Sequence, residues 1–128
     1  FLRPFRKLSN SMSIANYRIL FGVYSISILA VSSIPGESFP DIELYTLDKV
    51  FHFIEYSILG FFTVKCVRKP TWSWIPLILI YGILFAGLDE YWQSFIPGRL
   101  SSQFDMLADI SGIIFGSVLT VWISREND

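Results

Sequence analysis

The stretch WIPLILIYGILFAGLDEYW, residues 74–92, decides the fold. No charged side chain occurs in it before Asp89. A helix of about 20 apolar residues crosses the roughly 30 Å of bilayer hydrocarbon. An amphipathic helix on a globular core shows a polar face every three to four residues, and the middle of this stretch shows none. At its end Asp89 and Glu90 break the pattern. An ionised Asp at the bilayer centre costs at least about 2.5 kcal/mol, so such acids must sit near water or face polar partners.

Three comparable runs flank it, over residues 17–34, 50–67 and 106–123. Composition agrees: the 128 residues are 52% hydrophobic and 17% aromatic, with 16% charged, against about 25% in a soluble domain. The chain is expected to be one domain, 1–128, an all-α membrane protein with four transmembrane helices. The first run follows basic residues and passes the cleavage-like triplet Ala30-Val31-Ser32. It is long for a signal peptide and is expected to stay as a spanning helix. The single cysteine, Cys66, allows neither an internal disulfide nor a cysteine metal cage. Its place at a run's end makes it a candidate for acylation.

The links between runs are short. Pro35-Gly36 is expected to end the first helix, with Phe39-Pro40-Asp41 as an irregular acidic connection. Lys65, Arg68, Lys69 and Pro70 end the second, and Pro97-Gly98 turns the chain before the fourth. Short links predict antiparallel neighbours in a compact bundle. Arg3, Arg6, Lys7, Arg18, Lys65, Arg68, Lys69 and Arg125 fall on one side of that topology. The positive-inside rule then puts both termini in the cytoplasm. On the other side lie Glu37, Asp41, Glu43, Asp48, Glu55, Asp89, Glu90, Asp105 and Asp109, with Lys49, His52 and Arg99. Only Glu126 and Asp128 join the basic side. Most of the tryptophans and tyrosines fall near run ends, as interfacial belts do.

The acids form stripes. Asp48, His52 and Glu55 share one helical face, and Tyr56 extends it. Asp89 and Gln93 are four apart, as are Asp105 and Asp109. Facing lipid, these stripes are costly; facing one another, they are offset by His52 and Arg99, so convergence beneath one surface is expected. Gly112-xxx-Gly116 permits close helix approach, read first as packing within the chain and second as a dimer contact.

The pattern Asp48-Lys49-xx-His52-Phe53-xx-Tyr56, then Glu90-xx-Gln93-x-Phe95-x-Pro97-x-Arg99, then Asp105-xxx-Asp109-xx-Gly112-xxx-Gly116, resembles the VanZ-like family. These are small bacterial membrane proteins associated with glycopeptide (teicoplanin) resistance, and the likeness covers about residues 17–124. The family pattern usually carries asparagine where this chain has Asp109, which adds a negative charge here. The resemblance implies a multi-pass protein of the bacterial inner (plasma) membrane. Its outer polar cluster would bind or process an envelope lipid headgroup, a lipid-linked glycan or an amphiphilic glycopeptide.

In that reading His52 and Glu90 are the acid/base candidates, since an imidazole titrates near neutrality. Asp48, Glu55, Tyr56, Asp89, Gln93, Arg99, Asp105 and Asp109 line the binding site. Arg99 can hold an anion in a forked pair, or pair with Glu90 or Asp105. The carboxylates can hold a divalent cation, but no dedicated ligand motif is present, so no metal and no cofactor are assigned. The competing reading is a structural cap on an accessory subunit of a larger membrane complex, or on a homo-oligomer. No Gly-rich phosphate loop or aromatic-basic interleaving points to nucleotide or nucleic acid. A transporter would need broken helices that the runs lack.

Overall fold

The computed structural model describes residues 12–38 and 45–127. Arg3, Arg6, Lys7, Asp128 and the connection Phe39-Pro40-Asp41 with Glu43 lie outside the described residues. Among the described residues four α-helices carry the fold: α1 (Ile14–Ser32), α2 (Tyr45–Lys65), α3 (Ile75–Gln93) and α4 (Gln103–Glu126). Short 3-10 turns occupy Gly36–Ser38 and Trp72–Trp74.

Local chemistry sets the boundaries and moves several of them from the expected ones. Helix α1 starts at Ile14 rather than Tyr17 because the Ser13 hydroxyl caps it, accepting from the Asn16 N–H at 3.2 Å. It ends at Ser32, before Pro35. Helix α4 starts at Gln103 rather than Met106 because Ser102 Oγ accepts from the Phe104 N–H at 3.1 Å. Helix α2 starts at Tyr45 rather than Val50, which places Asp48 in its first turn, where a helix N-terminus favours an anion. Helix α3 has Pro76 in its first turn, where no N–H is needed.

The segments Ile14–Ser32, Trp72–Gln93 and Gln103–Glu126 are long and apolar enough to cross a membrane. Helix α2 is not among them: Asp48, Lys49, His52, Glu55 and Lys65 interrupt it. Hydroxyls inside the helices are turned back onto the backbone. Ser25, Ser57, Thr63, Ser111 and Thr120 each donate to the carbonyl four residues earlier, which hides them from an apolar surrounding.

Named contacts fix how the helices run. Tyr24 Oη donates to the Glu55 carbonyl and Arg18 Nε to the Cys66 carbonyl, so α1 and α2 are antiparallel. Gly87 lies by Met106 and Gly82 by Ile113, so α3 and α4 are antiparallel. The most extensive contact joins α2 and α4, which run parallel: His52 meets Asp109, and Ser57 meets Gly116. The glycines make this possible. A β-carbon on Gly112 would stand 2.4 Å from the Phe53 carbonyl oxygen, and one on Gly116 1.9 Å from that of Ser57. The small-residue pair thus packs within the chain. Ile28, Tyr56, Leu59, Val64, Ile78, Ala86, Ile113 and Val121 form the buried core.

Candidate functional site

The acids converge at one end, where α2 and α4 begin and α1 and α3 finish. Three connected groups of side chains make up the site.

The first is built on the opening turns of the parallel pair. Lys49 Nζ lies between Asp48 Oδ2, at 3.3 Å, and Asp105 Oδ1, with which it forms the closer ion pair. Asp105 is buried; the Asp48 side chain is 46% exposed. Both acids stand in first turns, where the helix N-terminus also favours negative charge.

The second group is one turn deeper. His52 Nδ1 lies 2.8 Å from Asp109 Oδ1, and Asp109 is fully buried. With Asp109 ionised, Nδ1 carries the hydrogen and donates it. His52 Nε2 looks the other way, toward Asp48 Oδ1 at 3.9 Å. Glu90 reaches in from α3, and one oxygen accepts from the Ser102 N–H at 3.2 Å. A nitrogen of His52 and oxygens of Glu90 and Asp109 lie within 4.8 Å of one another. The two acid/base candidates are therefore neighbours.

The third group crosses to α1. Tyr56 Oη donates to Asp89 Oδ2 at 3.0 Å, and Gln93 Nε2 donates to the same oxygen at 3.4 Å and to Ser32 Oγ at 3.1 Å. Tyr56, Asp89, Gln93 and Ser32 are all buried.

What sets the site apart is the set of oxygens without a donor. Asp89 Oδ1, Glu90 Oε1 and Asp109 Oδ2 are buried with no hydrogen-bond partner. A buried acceptor left unmade is expensive, commonly about 1–3 kcal/mol and more when charged. Moreover, Asp89 and Glu90 lie near the end of α3, whose carbonyls give that end negative character. Unlike Asp48 and Asp105, they gain nothing from their own helix. The arrangement is a buried set of strong acceptors, suited to hydroxyls, ammonium groups or cations rather than phosphate.

Most of the residues expected at the site are therefore together. Glu55 is half-buried on α2, with its carbonyl engaged by Tyr24. Arg99 Nη2 donates to the Val31 carbonyl near the end of α1 at 3.0 Å, an oxygen that also accepts from the Ile34 N–H at 3.1 Å. Sequence reasoning missed Ser32, which it placed in a cleavage-like triplet, and Ser102. The signal for Ser102 was its place as an N-cap; for Ser32, a small hydroxyl at the end of an apolar run. The opposite end is basic: Arg68, Lys69 and Arg125 line one groove, and Lys65 lies 5.8 Å from the Tyr17 and Phe61 ring centres.

Comparison with protein families gives a match to the model described as VanZ/LLP1, over residues 1–124. No curated protein and no solved structure matches the chain.

Proposed function

Because the chain belongs to the VanZ/LLP1 family, we propose that this membrane protein binds the headgroup of an envelope lipid, a lipid-linked glycan or an amphiphilic glycopeptide through its acidic end. In this reading all four helices cross the bacterial plasma membrane as a compact bundle, with both termini in the cytoplasm. The polar side of α2 is screened by α4, so α2 can join three helices that are apolar enough alone. The basic end, with Arg18, Lys65, Arg68, Lys69 and Arg125, then faces the cytoplasm and the acidic end faces outward.

One observation carries the binding role: buried carboxylate oxygens of Asp89, Glu90 and Asp109 have no donor. A sugar hydroxyl or a headgroup amine supplies such donors, and supplying them from a ligand relieves the cost of leaving those oxygens unpaired. If the headgroup is processed, His52 and Glu90 hold and move the proton. Arg99, engaged with Val31, shapes the outer rim.

The test is teicoplanin susceptibility of cells expressing the chain. His52→Ala, Glu90→Gln and Asp89→Asn, made singly, are expected to abolish a resistance increase at unchanged membrane levels. Full resistance in all three variants sinks the reading.

A second reading, an accessory subunit, is favoured by α1. Only Ile28 and Ser32 of this helix are buried, while Ile19, Val23 and Ile26 are exposed. Extraction in mild detergent followed by mass measurement discriminates. Co-migration with a large complex supports the subunit role; a particle of one or two chains removes it.

A further inference from the structure

We propose that His52, Glu90 and Asp109 bind a divalent first-row metal ion of the kind held by mixed nitrogen and oxygen ligands, such as Mn2+ or Zn2+. The inference goes beyond headgroup binding and stands on the site's own geometry. Three residues from three different helices bring a nitrogen and two oxygens within 4.8 Å of one another. The ligand atoms of a tetrahedral zinc, each about 2.0–2.2 Å from the metal, stand about 3.4 Å apart, so the group needs only a modest closing to reach coordination size.

Two further observations point to a cation rather than to a self-contained hydrogen-bond cluster. Asp109 is fully buried, yet Oδ2 has no partner, and Glu90 Oε1 is buried and likewise without one. Each carboxylate thus spends one oxygen on a protein donor, His52 or Ser102, and keeps the other for a further ligand. The cluster is also rich in negative charge, with Glu90 and Asp109 both facing one histidine. Lys49 pairs with Asp48 and Asp105 in the group nearer the helix starts. Glu90 stands at the unfavourable end of its own helix. Buried carboxylates need a paired cation or a metal, and a divalent ion supplies both charge and the missing contacts.

The imidazole is arranged for this. An ion at Nδ1 takes the place of the hydrogen now directed at Asp109, and the ring hydrogen moves to Nε2. There it faces Asp48 Oδ1, now 3.9 Å away on a half-exposed side chain able to close that gap. A carboxylate behind a ligating histidine fixes its tautomer and raises its basicity. Asp48 is in this scheme a positioning residue. Imidazole with carboxylates suits the borderline divalent metals better than calcium or magnesium, which prefer oxygen alone.

The experiment titrates MnCl2 alone into the purified full chain in detergent, with free Mn2+ followed by electron paramagnetic resonance. One saturable ion per chain is expected. Glu90→Gln, which keeps an acceptor for the Ser102 N–H, is expected to weaken binding by roughly a hundredfold or more, beyond the range for losing an outer-shell partner. Asp48→Asn is expected to weaken it roughly tenfold. An unchanged elution profile and melting curve for Glu90→Gln separates lost ligation from lost folding, and Asp109→Asn serves as a second ligand variant. No saturable binding overturns the proposal. So does binding undiminished in both Glu90→Gln and Asp109→Asn, or binding lost only in Asp105→Asn, which would put the ion in the Lys49 group. Because the readout is metal occupancy, unaltered teicoplanin susceptibility refutes the headgroup reading and leaves this one standing.

Discussion

Gly116→Ala is expected to destabilise the protein by about 3 kcal/mol, the upper part of the range for overpacking a tight interior. The added methyl would lie 1.9 Å from the Ser57 carbonyl oxygen, 2.7 Å from its carbon and 2.9 Å from its Cα. All three are backbone atoms of α2, so no side chain can rotate aside and the helices must separate. That separation also moves His52 from Asp109, since both lie on the same parallel seam within about two turns. Gly22→Ala is the control. Nothing lies within 4 Å of its added carbon, and a helix interior gains close to 1 kcal/mol when glycine becomes alanine. Melting temperatures of the purified chain should therefore move in opposite directions. A Gly116→Ala protein as stable as Gly22→Ala would show that α2 and α4 are not in close contact.

Lys49→Met ranks next. Met keeps the length and the apolar stem but removes the ammonium from Asp105, which is buried. Removing one partner of a buried ion pair leaves an uncompensated charge, and about 3 kcal/mol of stability is expected to be lost. Asp48 contributes little to that figure because its side chain is half in solvent. The check is a double-mutant cycle. In an Asp105→Asn background the same Lys49→Met change should cost much less, because the charge it stranded is gone. Equal losses in both backgrounds would mean that Lys49 acts through some other contact.

The membrane character was legible because an uninterrupted apolar run such as Trp74–Leu88 has few other physical meanings. The stripes were legible for a similar reason: helical periodicity places Asp48 with His52, Asp89 with Gln93 and Asp105 with Asp109. Periodicity acts within one helix, however, and says nothing of which stripe meets which. Pairing was decided by shape. Gly112 and Gly116 let α4 lie against Phe53 and Ser57, and this carries Asp105 to Lys49 and Asp109 to His52. In the sequence those glycines were only a common small-residue spacing.

Arg99 shows a second limit. Its charge suggested an acid or anion partner, and its Nη2 also donates to the Val31 carbonyl near the end of α1, an oxygen shared with the Ile34 N–H. A backbone acceptor leaves no mark in a sequence. Helix α2 shows a third. Its charges are visible, and they keep it out of the group of helices apolar enough to span alone. Whether it is tolerable in lipid depends on α4, far along the chain.

The parallel pairing of α2 with α4 has a consequence for time as well as for space. A ribosome delivers Lys49 and His52 long before it delivers Asp105 and Asp109. Through the whole synthesis of α3, Lys49 and His52 are without Asp105 and Asp109. Helix α4 is apolar enough to enter a bilayer unaided, and it brings Asp105 and Asp109 with it. Assembly of the site therefore waits for α4, and any chain cut short before α4 holds only part of a site.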